Sequence, residues 1–133
     1  MIDYRKEFDD KGYFTCVSIL DDSEREELLS KIVQIEKNVI SYPENKKEQD
    51  PNNPSRLRKI NDLVLNNQYF LKIAKKPAIL DIVTKCIGGD IKHFGDQLFM
   101  KPPGGVERTS HQVSPYFPIS PMNLISCWIA LDD

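Results

Sequence analysis

The most apolar stretch of the sequence, Leu124 to Leu131 (LISCWIAL), is also its last segment. Such a run reads as a buried strand, and a buried strand needs neighbours to take up its backbone hydrogen bonds. The other strand-like pieces are few and mostly late. IKHFGDQLFMK runs from Ile91 to the turn-forming PPGG at 102–105, and a further extended piece surrounds HQVSPYFP. One earlier candidate, Tyr13 to Leu20, alternates Tyr13, Thr15, Val17 and Ile19 with Phe14, Cys16, Ser18 and Leu20. About three or four strands neither close a barrel nor cover both faces of a sandwich. Helices come first and strands follow, so the expected class is α+β. Leu124 to Leu131 has no following partner, and the fold reads as unfinished at Asp133.

The helical part has clear punctuation. Tyr4 to Lys11 reads as a short helix stopped by Gly12. Ser23 and Glu26 have capping-box spacing, and Asp21 and Asp22 add negative charge at a helix N-terminus. Leu28, Ile32, Ile35 and Val39 recur at helical spacing, joined by Leu29, Val33 and Ile40, which predicts a helix over 23–40. Residues 41–56 (SYPENKKEQDPNNPSR) hold three prolines and almost nothing apolar. They read as a loop, either a lid or a plain surface excursion. A helix over 67–75 is expected next, then one that opens with Pro77 and ends at Gly88-Gly89, burying Ile79, Leu80, Ile82, Val83, Cys86 and Ile87.

Composition excludes several function classes. The chain has 133 residues, enough for one domain. Eighteen basic against twenty acidic residues leave a net charge of -2, and the densest basic stretch is only Arg56, Arg58 and Lys59. Nucleic acid is therefore not an expected partner. A membrane span needs about 20 apolar residues, far more than Leu124 to Leu131 supplies. The N-terminus MIDYRKEFDD is charged from its third residue and reads as no secretory signal. Cys16, Cys86 and Cys127 lie far apart without CxxC spacing, which suggests reduced thiols and a cytoplasmic location.

Chemistry rests on few residues. His93 and His111 are the two histidines, and no GxGxxG, Walker, GxSxG or HExxH motif occurs. His93 falls in a strand pattern and reads as structural. His111 lies among Lys101-Pro102-Pro103-Gly104, His111-Gln112, Tyr116-Phe117-Pro118 and Trp128-Ile129-Ala130-Leu131-Asp132-Asp133. Upstream stand Phe8-Asp9-Asp10-Lys11-Gly12-Tyr13 and Arg58-Lys59-Ile60. In order and spacing this series resembles the phytanoyl-CoA dioxygenase family, a branch of the Fe(II)- and 2-oxoglutarate-dependent oxygenases.

The resemblance implies a double-stranded β-helix (jelly roll), present here in part, with the N-terminal helices packed outside. It implies Fe(II) and 2-oxoglutarate as cofactors and hydroxylation of a small organic substrate. The family's H-x-D pair offers an imidazole and a carboxylate to one iron from a single strand face, because residues i and i+2 of a strand point the same way. A distal histidine completes the facial triad. His111 is the implied metal ligand. Lys59 matches a lysine that pairs with 2-oxoglutarate, and it reads equally as a surface lysine. Gln97 and Trp128 match positions lining the cosubstrate pocket, although a core aromatic accounts for Trp128 as well. Lys101 and the PPGG turn read as architectural, and Tyr116 and Phe117 as pocket wall or core.

Two departures bear on activity. Val113 occupies the carboxylate-ligand position, and valine has no lone pair to give a metal. Gln112 and Ser114 would face the other side of a strand, and Asp132 and Asp133 match the family's own aspartates. The family's distal histidine and the arginine that pairs with 2-oxoglutarate lie downstream of the W-x-A-L-D-D strand, beyond Asp133. The expected outcome is an impaired or inactive oxygenase that binds iron poorly. A non-catalytic binding or scaffold protein of the same fold is the alternative, able to self-associate through an unpaired strand edge. Related halogenases place a small residue at the carboxylate position to admit chloride, but the branched valine would crowd that space.

Overall fold

The computed structural model describes residues 3–132, apart from the side chain of Ile40. The Asp133 end of the W-x-A-L-D-D match lies outside the described residues. Helix α1 (Tyr4–Lys11) begins where the Asp3 side chain accepts the Lys6 N–H at 3.0 Å. It ends at Gly12, whose φ of 78° no β-carbon opposes and whose N–H bonds the Phe8 carbonyl at 2.8 Å. Arg5 reaches the Cys86 carbonyl, which ties α1 to the end of α5 (Pro77–Ile87).

Helix α2 (Asp22–Lys37) buries Leu28, Ile32 and Ile35. Its capping box differs from the expected one. Asp21, not Ser23, accepts the Glu24 N–H at 2.8 Å, and Glu24 accepts the Asp21 N–H at 2.9 Å. An Asp with an acid three residues on outcompetes the serine, whose hydroxyl instead donates to Asp21 at 2.6 Å. The helix ends at Lys37, and Val39–Ser41 is a single 3-10 turn.

Two expectations about strands fail for opposite reasons. Tyr13 to Leu20 alternates but forms no strand. Tyr13 and Val17 are 68% and 88% exposed, so no surface receives the apolar set. The tract over 41–56, expected to be a loop, instead contains strand β1 (Lys47–Asp50) and the start of strand β2 (Asn53–Asn61). The hairpin turn is held by the buried Asp50 carboxylate, which accepts the Asn52 N–H at 2.8 Å. Its polar composition hid it, because cross-strand ion pairs rather than apolar contacts occupy one of its faces.

A bulge in β2 decides which residues enter the core. Glu48 pairs with Lys59 and Gln49 with Leu57, leaving Arg58 as the extra residue. Leu57 and Ile60, three apart, would point to opposite faces of a regular strand. The bulge turns both inward, to 7% and 0% exposure. They join Ile35 and Leu63, with Val39, Tyr42, Phe70, Leu98 and Met100 packed around them.

Helices α3 (Leu63–Asn66), α4 (Gln68–Ala74) and α5 carry the chain back to strand β3 (Gln97–Phe99). The expected 67–75 helix is α4, capped by Asn67 on the Tyr69 N–H at 2.9 Å. Pro77 opens α5 and Gly88, with φ of 94°, closes it, as expected. The sheet is antiparallel in the order β1-β2-β3. The α+β class holds, with a small open sheet covered on one face by the core.

Of IKHFGDQLFMK, Gln97–Phe99 alone pairs as strand. HQVSPYFP carries a 3-10 turn at Ser114–Tyr116, and Leu124 to Leu131 forms no strand. That apolar run finds no ladder among the described residues, and Trp128 stays 82% exposed. The segment is tied back by Asn123, which donates to the Ile87 carbonyl at 3.0 Å, and by Arg25, which donates to the Leu131 carbonyl at 3.4 Å.

Candidate functional site

The open face of the sheet is built by register. Glu48, Lys59 and Phe99 stand in one row across β1, β2 and β3. Asn61 and Gln97 form the next row on the same face, because alternate residues of a strand share a side. The bulge adds Arg58 to this face next to Lys59.

These residues form a cationic cluster around one carboxylate. Glu48 Oε1 lies 3.1 Å from Arg58, and Glu48 Oε2 meets Lys59 at 3.1 Å and Arg108 at 3.4 Å. The side chains of Arg58 and Lys59 are only 16% and 17% exposed. Burial pushes the Glu48 carboxyl up. The Lys59 hydrogen bond and charge, with Arg108 and Arg58, outweigh it and hold the group below the ordinary carboxylate range.

An aromatic pair adjoins the cluster. Phe99 stacks on Trp128 with centroids 6.1 Å apart and planes within 8°. The Arg108 guanidinium lies 5.8 Å from the Phe99 centroid. The Asn61 side-chain oxygen is buried without a partner among the described residues. Three of the residues singled out from sequence therefore meet on one face: Lys59 and Gln97 directly, Trp128 through Phe99.

His111 and Val113 lie on the exposed segment beyond β3. The contacts of His111 are local. Its Nδ1 is 2.9 Å from the Thr109 carbonyl, and its ring meets Tyr116 edge-on at 5.7 Å. Val113 has helical φ/ψ and leads into the 3-10 turn, so the strand argument for an i, i+2 pair does not describe this segment. His93 Nε2 lies 3.7 Å from Asp96, whose carboxylate caps α3 through the N–H groups of Leu63 and Val64. Cys16, Cys86 and Cys127 are all free thiols.

Sequence reasoning missed Glu48, Arg58, Phe99 and Arg108. The available signal was the turn-forming DPNN at 50–53, with Glu48 before it and Arg56, Arg58 and Lys59 after it. Arg108 had none, since it joins Glu48 across 60 residues through the path of the loop.

Residues 8–133 match the phytanoyl-CoA dioxygenase (PhyH) family model. No curated protein and no solved structure matches the chain. The family is one of Fe(II)- and 2-oxoglutarate-dependent dioxygenases. The residues present fit these two groups unequally. Among the described residues no three His, Cys, Asp or Glu side chains come together to hold a metal ion, so the donor set does not fit iron. The three cations gathered at Glu48 do suit a ligand with carboxylates. Among the described residues no helix is long and apolar enough to cross a membrane. With all but its first seven residues covered by the family model, the chain belongs to the phytanoyl-CoA dioxygenase (PhyH) family.

Proposed function

We propose that the open sheet face is the 2-oxoglutarate-binding wall of a PhyH-type oxygenase, and that this chain's iron-dependent chemistry is impaired. The observation that carries the reading is the convergence of Lys59, Gln97 and Trp128, the residues named by resemblance, on that one face. In this reading the sheet is one wall of a jelly roll. Its inner face carries Lys59, Gln97 and Phe99, and the core with α2 and α3 lies outside.

The protein groups have distinct tasks. Lys59 and its neighbouring arginines pair with ligand carboxylates, and Gln97 offers an amide for hydrogen bonding. Phe99 and Trp128 form an apolar wall beside those ion pairs. Bound 2-oxoglutarate serves the family as the co-reductant of dioxygen. With Val113 at the carboxylate-ligand position, His111 has no acidic companion two residues on. A binding protein of the same fold is the second reading, favoured by the absence of a metal-holding group among the described residues.

The test is succinate formation from 2-oxoglutarate under oxygen, with and without added Fe(II). The expected result is no iron-dependent succinate above the protein-free blank. Iron-dependent turnover by the chain overturns the impairment.

A further inference from the structure

We infer that Glu48 is a built-in competitor for the carboxylate ligand of this face, filling the cationic seat that a free dicarboxylate takes. The inference rests on the cosubstrate-wall reading above and adds to it a residue that sets affinity.

Three cations from two segments, Arg58 and Lys59 of β2 and Arg108 of the stretch after β3, converge on the single Glu48 carboxylate. Two of them are more than four-fifths buried, and buried cations without a counter-charge are costly. The seat therefore favours a carboxylate at all times. Glu48 supplies it when no ligand is bound, and its contacts of 3.1 to 3.4 Å show that the site accepts that group. Glu48 sits on the edge strand β1 with its side chain 36% exposed, so a rotamer change moves its carboxylate into water. With Glu48 turned into water, the two carboxylates of a dicarboxylate face the three cations that Glu48 alone now engages.

Displacement of Glu48 has an optical consequence. Arg108 touches both Glu48 and the ring of Phe99, and Phe99 stacks on Trp128, the one tryptophan of the sequence. Rearrangement of Arg108 changes the surroundings of that indole.

The test titrates 2-oxoglutarate into the metal-free chain, read by calorimetry and by Trp128 emission, for the wild type, Glu48→Gln, Lys59→Ala and the Glu48→Gln/Lys59→Ala pair. Glu48→Gln is expected to bind up to about fivefold more tightly than wild type, the worth of a partly exposed ion pair released from competition. The double variant is expected to lose that gain. Glu48→Gln binding no more tightly than wild type, with Lys59→Ala weakened, overturns the competitor and leaves the wall standing. Absence of binding in every folded variant overturns both. One readout needs no substitution: the Glu48 carboxyl carbon signal of the wild type is expected to shift on saturation. A signal that stays fixed while ligand binds overturns the inference.

Discussion

Asp96 joins the helical layer to the strand that carries Gln97 and Phe99, and its removal has a calculable cost. Asp62 lies in the left-handed region at φ 62° and does not cap α3, because its carboxylate is taken by Lys46. Asp96 caps the helix from 33 residues away, accepting the Leu63 N–H at 2.7 Å and the Val64 N–H at 3.1 Å. The Asp96 carbonyl also accepts the Asp62 N–H at 3.2 Å. Leu63 and Val64 are 1% and 9% exposed, so water is poorly placed to replace the lost acceptor. A helix cap is worth about 0.5–2 kcal/mol, and a buried N–H left unsatisfied costs about 1–3 kcal/mol. Asp96→Ala is thus expected to lose about 2–4 kcal/mol, a large share of the roughly 5–15 kcal/mol of a typical domain. Asp96→Asn keeps one carbonyl acceptor and is expected to lose about half as much. Urea unfolding reads both, as a lower midpoint at unchanged slope. Amide exchange at Leu63 and Val64 is expected to accelerate first. A loss below about 0.5 kcal/mol for Asp96→Ala, or equal losses for the two variants, refutes the capping argument.

Ile60 has no exposure and sits at the centre of the core cluster, so Ile60→Ala is expected to cost about 2–5 kcal/mol by urea unfolding. A loss under about 1 kcal/mol contradicts the bulge that turns Leu57 and Ile60 inward together. Acid sensitivity follows from the caps. The Ser23 hydroxyl, then the Glu24 N–H, hold Asp21 below its ordinary range, and Lys76, then the Asp21 N–H, do so for Glu24. A carboxyl depressed in the folded state adds stability above its unfolded pKa and loses it as pH falls through the folded value. The melting temperature is therefore expected to be level near neutrality and to fall from about pH 5 downward. Glu24→Gln should flatten that fall, and an unchanged slope counts against the role of the cap.

How much of this was legible in the sequence depended on how local each signal was. Helices α1, α4 and α5 follow from their own punctuation: Gly12, Asn67, Pro77 and Gly88 act within one turn. Strands depend on a partner, and there local pattern misled repeatedly. Tyr13 to Leu20 alternates without a sheet to join, while Lys47–Asp50 is polar and pairs because Glu48 meets Arg58 and Lys59 across the turn. Leu124 to Leu131 is apolar enough for a strand, but no described neighbour gives it a ladder. At the open sheet face, resemblance named Lys59, Gln97 and Trp128, which the register and the Phe99 stack bring near one another. Glu48 and Arg108 became visible only through register and loop path, which no short window contains.

The open face of the sheet, in the reading proposed above, binds carboxylates without iron. Equilibrium dialysis of radiolabelled 2-oxoglutarate against the metal-free chain, wild type beside Lys59→Ala, tests this most directly. Saturable uptake by the wild type, weakened by added salt and lost in a folded Lys59→Ala, is the predicted result. Uptake that is absent in the wild type, or unchanged by Lys59→Ala, contradicts it.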